Sequence, residues 1–365
     1  MSAARRIAVA MSGGLDSSVA AWLLSREPEL EVVGLSMLLW DRASEARHGR
    51  CCGALDLADA KRAAAQAGIA HYTLRLDEEF RERVVDPFVA DYLEGRTPSP
   101  CVRCNTLVKF DLLIERAQRL GATALATGHY ARIVEGDGGP ELHRAVDAGK
   151  DQSYFLFEMT RRQLGFVRFP LGERTKVAVR EVARAAGLAV AEKGESMEVC
   201  FVDGAVEEFV AREAAANPGR FPGAPNAGAR VVDRAGHDLG TGAPYFRYTV
   251  GQRRGLGVAA ARRLYVLEVL PEENRVVVGD PDELAAPGLA GERLHWIGDP
   301  PGGALEATVK IRSRHAGVAA LVRPRAGGRV EVDFAEPQRG VAPGQAAVFY
   351  AGTRVLGGCW ITGRL

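Results

Sequence analysis

No apolar run in the 365 residues approaches the roughly 20 that a membrane-spanning helix needs. Net charge is nearly absent too: 47 Lys and Arg stand against 46 Asp and Glu. A basic field over the whole molecule is thereby excluded, and any contact with a polyanion must come from local patches. Six cysteines, Cys51, Cys52, Cys101, Cys104, Cys200 and Cys359, are too few for a disulfide scaffold in a chain of this length. There is one CxxC and no second pair at zinc-site spacing. Long repeats and low-complexity segments are missing. The opening MSAARRIAVAM is basic and then apolar, like a signal peptide, but its apolar run stops at Ser12, too soon for an h-region. It reads as a first buried strand, and the protein as cytoplasmic.

What is present is a strong alternation over the first 130 or so residues. Arg6–Met11, Glu31–Leu39, His71–Leu76 and Ala124–Thr127 read as strands; Asp16–Ser25, Ala54–Ala67, Glu78–Leu93 and Asn105–Leu120 read as helices. Strands and helices in turn, with short connections, predict a parallel sheet covered on both faces, with ligands at the carboxyl ends of its strands. From about Gly219, Gly and Pro become frequent and helical spacing fades. Arg263–Leu270, Arg275–Gly279, Glu306–Arg312, Arg329–Phe334 and Ala346–Tyr350 read as strands. The expectation is an α/β protein: an N-terminal Rossmann-like parallel-sheet domain over 1–205, a small mixed α/β central domain over 206–285 and a C-terminal β-barrel over 286–365.

Ala10-Met11-Ser12-Gly13-Gly14-Leu15-Asp16-Ser17 follows the first strand and opens the first helix. Two glycines let backbone N–H groups approach an anion, Ser12 and Ser17 add hydroxyls, and a helix N-terminus favours negative charge. The lysine of a Walker A loop is missing. Asp16 in mid-loop has two open roles, holding Mg²⁺ against phosphates or capping the helix.

Cys101-Val102-Arg103-Cys104 follows a Pro-rich stretch and opens a helix, a position that favours thiolate. Cys200 is distant in sequence but able to meet the pair in space. Half a zinc site, a redox dithiol and sulfur transfer through a persulfide all compete for these residues. Cys51 and Cys52 read as packing or pocket-edge residues, and Cys359, among apolar β residues, as buried and inert.

SGGLDS resembles the loop of the PP-loop ATP pyrophosphatases, which split ATP to AMP and pyrophosphate and use the AMP half to activate an oxygen. On that resemblance the 1–205 domain is a PP-loop domain, and Met37 and Gly128 line the nucleotide pocket with the loop. SGGLDSSVAAWLL, GRTPSPCVRCN, ATGHYARI, GKDQSYFL, EVCFV, YTVGQRRGLGV and APGQAAVFY, in that order, narrow it to the bacterial tRNA-specific 2-thiouridylases. The resemblance implies tRNA as substrate, with wobble uridine and the Lys, Glu and Gln tRNAs, and ATP with Mg²⁺ as cofactors. It implies adenylation of the uridine C2 oxygen. Sulfur would come from a cysteine desulfurase or relay protein as a persulfide on Cys200. Cys104 would be the nucleophile that frees it and forms a disulfide with Cys200. Many such enzymes carry Asp where Cys101 stands. Three thiols here allow a rival in which Cys101, Cys104 and Cys200 bind a [4Fe–4S] cluster; the persulfide route is preferred. An amide-forming synthetase of the same superfamily would leave the cysteines and the β-rich third unexplained.

An everted base needs a pocket beside ATP. Thr97, Pro98 and Ser99, next to the cysteines, match the family's target-base contact. Lys150, Asp151 and Gln152 offer a cation and an amide to phosphate and base edges. His129 reads equally as a tRNA contact or a core histidine. The resemblance adds Arg312, Ser313 and Gln345 as tRNA contacts. Lys310, Arg312 and Arg314 alternate along an expected strand, which would make a phosphate-tracking stripe.

Overall fold

The computed structural model describes residues 4–40, 54–194, 199–222, 227–258 and 262–365. Cys51 and Cys52, and Ser196 to Glu198 before Cys200, lie outside the described residues.

The N-terminal unit runs β1 (Arg5–Ala10), α1 (Leu15–Leu24), β2 (Leu30–Leu38), α2 (Ala54–Ala67), β3 (Ala70–Arg75), α3 (Asp77–Phe80), α4 (Asp86–Leu93), α5 (Pro100–Cys104), α6 (Leu113–Arg119) and β4 (Ala124–Ala126). A hairpin, β5 (Ala131–Gly136) and β6 (Gly139–Arg144), follows. Then come α7 (Arg161–Phe166), β7 (Val167–Arg168), α8 (Lys176–Ala185) and α9 (Val206–Ala216). Five parallel strands stand in the order β3-β2-β1-β4-β7. β1 has Ile7, Ala8 and Val9 buried on both faces, as a central strand of a parallel sheet must. The chain leaves β1 towards β2 on one side and β4 on the other, so the strand order reverses at β1 and opens a crevice there.

Two π-helical stretches, Arg81–Val85 and Asn105–Leu112, interrupt what the sequence reads as continuous helices. The second follows Cys104 directly. α9 packs against α4 through Phe209, which touches Phe88 and Phe201 at ring separations of 6.3 and 5.5 Å.

The central unit is a four-stranded mixed sheet of β8 (Arg230–Asp233), β9 (Asp238–Thr241), β10 (Tyr265–Leu270) and β11 (Arg275–Gly279), ordered β10-β11-β8-β9. The last unit has β12 (Ala285–Trp296), β13 (Leu305–Lys310), β14 (Val318–Arg325), β15 (Arg329–Arg339), β16 (Ala346–Ala351) and β17 (Arg354–Arg364). These form a closed ring, since β12 pairs with both β15 and β17. The β5–β6 hairpin of the first unit continues that sheet through β17, with Arg354 opposite His143. The α/β class, the mixed central sheet and the terminal barrel therefore stand as expected.

One surface expectation does not stand. β13 ends at Lys310, whose side chain is buried and whose ammonium pKa is lowered by that burial. Arg312 and Arg314 lie beyond the strand in a turn, so the three do not share a strand face. Val309 and Ile311 fill the barrel interior, so Lys310, opposite Val348, is buried on the outer face towards Asp151 and Arg144 of the first unit, a position that basic alternation alone cannot reveal.

Candidate active site

The Gly-rich loop sits at the end of β1, where the strand order reverses. No side chain caps α1; its N-cap is Gly14. The hydroxyl of Ser17 accepts from the Ser12 backbone N–H at 3.1 Å, meets the Ser12 hydroxyl at 3.2 Å, and donates to the Gly14 carbonyl at 3.2 Å. These bonds close the loop into a cradle with backbone donors facing outward at a helix N-terminus. Gly13 has φ +73°, and a Cβ there would overlap the Asp56 carbonyl of α2. Gly128 is equally constrained: a Cβ would lie 2.7 Å from the Ser17 amide nitrogen. The two stretches assigned to the nucleotide pocket therefore touch. Met37, at the end of β2, is buried, and its neighbour Ser36 ties β2 to the loop by donating to the Met11 carbonyl at 2.6 Å.

Asp16 does not cap the helix. Both its carboxylate oxygens accept from Lys176 Nζ, at 2.7 and 2.9 Å, and Oδ1 also accepts from the Tyr130 hydroxyl at 3.0 Å. Lys176 is the first residue of α8, whose Thr175 N-cap accepts from the Ala178 N–H at 3.2 Å. A second lysine, Lys193, donates to the Gly13 carbonyl at 2.9 Å, to Asp56 at 2.7 Å and to Asp59 at 2.6 Å. Partial burial works against the Lys193 charge, but its two carboxylate partners prevail and raise its pKa. The cation missing from the loop sequence is thus supplied twice, from residues 160 and 180 positions away. Neither lysine was identifiable from sequence. Thr175 followed by an amphipathic run marks a helix start, but nothing local marks Asp16 as its partner.

As arranged, Asp16 turns its oxygens to Lys176 rather than to an open edge that Mg²⁺ would take. Among the described residues no three His, Cys, Asp or Glu side chains converge as a metal-ligand set.

The cysteines lie near this region through His129, next to Gly128; the His129 ring is 5.7 Å from Phe110 in the stretch that continues from Cys104. Cys101 is exposed and Cys104 buried, both on the five-residue α5. Cys200 is half-buried, in a turn, and packs against the same apolar core that contains Cys104. Its neighbour Phe201 is locked by edge contacts to Phe80 and Phe88 at 5.6 and 5.1 Å. Cys359 is fully buried in the barrel, where burial pushes its thiol pKa far up, leaving it no thiolate.

The segment Leu93–Ser99 joins α4 to α5 and is gripped by both downstream units. From the central unit, the Tyr245 hydroxyl donates to the Leu93 carbonyl at 2.5 Å. From the barrel, the Pro343 carbonyl accepts from the Thr97 N–H at 2.8 Å, and Gln345 Nε2 donates to the Thr97 and Pro98 carbonyls at 2.8 and 3.3 Å. Gly344, at φ +88°, presses so close that a Cβ would sit 2.9 Å from Arg96 Cβ. Ser99 is buried. Thr97, Pro98 and Gln345 therefore meet, whereas Arg312 is exposed and donates only to the Arg339 carbonyl, at 3.3 Å, and Ser313 lies in the same turn.

Asp151 and Gln152 are spent on the fold. Asp151 accepts from the Ala145 and Ser153 N–H groups at 3.1 and 3.2 Å, and Gln152 Oε1 accepts from the Tyr130 N–H at 2.9 Å. That bond fixes Tyr130, which in turn orients Asp16. The Lys150 N–H closes a turn onto the Asp147 carbonyl at 3.0 Å. The His129 ring lies between Phe110 and Phe169, 5.7 and 5.9 Å away, with Nδ1 2.7 Å from the Thr127 hydroxyl. Burial, reinforced by Lys109, holds its pKa well below the ordinary value. It is a neutral imidazole packed in apolar surroundings.

Comparison with known proteins follows this geometry closely. Residues 5–204 match a family model described as a tRNA methyl transferase HUP domain. Residues 223–280 match a tRNA methyl transferase PRC-barrel domain, and 287–361 an aminomethyltransferase beta-barrel domain. Among curated relatives, a protein of Geobacter metallireducens named tRNA-specific 2-thiouridylase MnmA is 51% identical over 366 residues, covering 98% of this chain and 97% of the relative. Proteins of the same name from Geotalea uraniireducens and Solibacter usitatus are 47% and 48% identical, covering 98% and 97% of this chain and 95% and 98% of theirs.

Proposed function

The chain belongs to the tRNA-specific 2-thiouridylase family, and from that premise we propose that it replaces the C2 oxygen of a tRNA uridine with sulfur at the expense of ATP. The family models carry the words methyl transferase, but a methyl transfer would give the thiols of α5 no task. Sulfur transfer uses them. The observation that supports the reading is a short chain of contacts between loop and thiols: Gly128 packs against Ser17, and its neighbour His129 lies 5.7 Å from Phe110 in the π-helical stretch that continues from Cys104.

In this mechanism the loop 10–17 and the α1 N-terminus hold the triphosphate, while Met37 and Gly128 border the base. Lys176 and Lys193 balance the charge that develops as pyrophosphate departs. Asp16 and Tyr130 aim Lys176. The uridine enters beside Thr97–Ser99 at position 34 of the tRNA, and its C2 oxygen attacks the α-phosphorus of ATP. Pyrophosphate leaves and the oxygen becomes part of a good leaving group. A cysteine desulfurase or relay protein leaves a persulfide on Cys200. The Cys104 thiolate attacks the inner sulfur of that persulfide, forming the Cys104–Cys200 disulfide and expelling the terminal sulfur as hydrosulfide, which adds to C2 and displaces AMP. Wobble-uridine tRNAs for Lys, Glu and Gln are the substrates in this reading, and the cytoplasm is the compartment. Mg²⁺ would accompany the ATP phosphates rather than a preformed protein site. No helix among the described residues is long and apolar enough to cross a membrane.

The test is direct. Purified protein, a tRNA transcript, MgATP and a desulfurase with cysteine should yield 2-thiouridine on digestion and mass spectrometry. Pyrophosphate release should require the tRNA. Thiolation that proceeds in full with Cys104→Ser would overturn the cysteine route, and iron and sulfide found after anaerobic purification would favour the cluster.

A further inference from the structure

Arg103, between the two cysteines of α5, and Arg293, from the barrel strand β12, converge on one side chain. Their guanidinium carbons lie 5.6 and 5.7 Å from the Trp360 ring centroid. Neither has found a close acceptor. Arg103 comes no nearer than 3.8 Å to Asp91 Oδ2, and Arg293 no nearer than 4.0 Å to Glu158 Oε1. The carboxylates are already engaged elsewhere. Asp91 Oδ1 takes a two-pronged bond from Arg96 at 2.6 and 2.9 Å. Glu158 accepts from the Trp360 indole N–H at 2.8 Å and from the Thr106 hydroxyl at 2.9 Å. Arg103 is only 21% exposed, and its Nε is buried with no partner. Burial and the neighbouring Arg293 and Arg96 outweigh the carboxylates and lower its pKa.

Backbone geometry points to the same place. Arg293 has φ +52°, a left-handed conformation that costs an ordinary residue and that glycine adopts freely. It sits where the β12–β17 register shifts, between Glu292 and His295. Such a bulge re-aims a side chain, here towards Glu158 and Trp360. A strained backbone that holds a charge, opposite a half-buried and loosely paired charge, is what a site for an absent anion looks like before it is filled.

We propose that Arg103 and Arg293 form a phosphodiester subsite across the seam between the cysteine helix and the barrel, which takes an RNA backbone phosphate adjacent to the target uridine. Guanidinium forks match phosphate oxygens, and phosphate contacts set register without reading sequence. The pair anchors the strand one residue from Cys104 while the base leaves its stack. This assignment rests on the tRNA reading above.

The experiment uses the full chain and a labelled anticodon stem–loop RNA, titrated at several salt concentrations. Arg103→Leu and Arg293→Gly should each weaken binding about tenfold, and each should reduce the steepness of the log K against log salt plot by about 0.7–0.9. Arg293→Gly should also hold or raise the melting temperature, since it removes the left-handed strain, so weaker binding could not be laid to misfolding. A stem–loop with one uncharged methylphosphonate linkage beside the target uridine should lose comparable affinity for the unaltered protein, and little further for the double variant. Unchanged salt slopes in both variants, or additive losses at every methylphosphonate position, would overturn the assignment while leaving tRNA thiolation standing. Intact RNA binding with failed sulfur delivery would give the pair to the donor protein instead, and also overturn it. An unaltered chain that binds no RNA would bring down the tRNA reading and this assignment together.

Discussion

The two sides of the proposed site, the phosphate lip and the thiol lip, are built in different ways. The phosphate lip is self-contained: the loop, Asp16, Tyr130, Lys176 and Lys193 all belong to the N-terminal unit and hold one another by charge. The thiol lip is borrowed. Its segment Leu93–Ser99 is gripped by Tyr245 of the central sheet and by Pro343, Gly344 and Gln345 of the barrel. On the proposed mechanism, the difference teaches that the part handling the nucleotide holds itself together, while the part handling the activated oxygen depends on the domains appended to it.

The sharpest division between the lips is expected from the cysteines. Cys104→Ser or Cys200→Ser should abolish thiolation in an endpoint assay and leave ATP binding, read by calorimetry, unaltered; a joint loss would show that the lips are not separable. Next in size is Lys176→Ala. Removing one preorganised charge of this kind costs about 10²–10³ in rate, here in tRNA-dependent pyrophosphate release. Lys176→Arg should restore part of it. A smaller effect tests the borrowing itself. Gln345→Ala leaves the Thr97 and Pro98 carbonyls without their shared donor, a loss of about 1 kcal/mol, or roughly a fivefold rise in the KM for tRNA with KM for ATP unmoved. A rise in both would place Gln345 among the supports of the phosphate lip.

The smallest effect concerns His129, which borders both lips. Its pKa is depressed in the folded protein, so the unfolded chain binds the extra proton first. Stability attributable to His129 is therefore full above about pH 6.5 and is lost as pH falls below it. His71 and His315 are shifted in the same direction, so the measure is a difference. The melting temperature of His129→Phe should fall less between neutral and mildly acid pH than that of the unaltered chain.

Much of the fold was legible because it rests on local pattern. The apolar run before SGGLDS, the helix at Ala54–Ala67 and the strand at Arg275–Gly279 are visible to anyone counting periodicity. The short helices and the π-helical stretches were not, since a backbone that shifts register by one residue leaves no trace in hydrophobic spacing. The hairpin 131–144 was missed for a different reason. Its second strand completes a sheet whose other members begin at residue 285, so its amphipathic pattern makes sense only beside them. The site was legible where a motif is contiguous, as in the loop and in Cys101–Cys104. It was illegible where a bond spans the chain. Lys176 and Asp16 form one unit in space, yet only Asp16, inside SGGLDS, was marked by the sequence, and Lys176 alone is an unremarkable surface-type residue.

The grip on Leu93–Ser99 also has a temporal side. A ribosome releases the phosphate loop and Cys101–Cys104 well before Gln345 and Trp360. Until β17 has emerged and closed the barrel, the β5–β6 hairpin lacks its neighbour and the segment Leu93–Ser99 lacks its barrel contacts. The contacts among the loop, Asp16, Lys176 and Lys193 can therefore form before those that hold Leu93–Ser99, and on the proposed mechanism the order of synthesis would complete the phosphate side first.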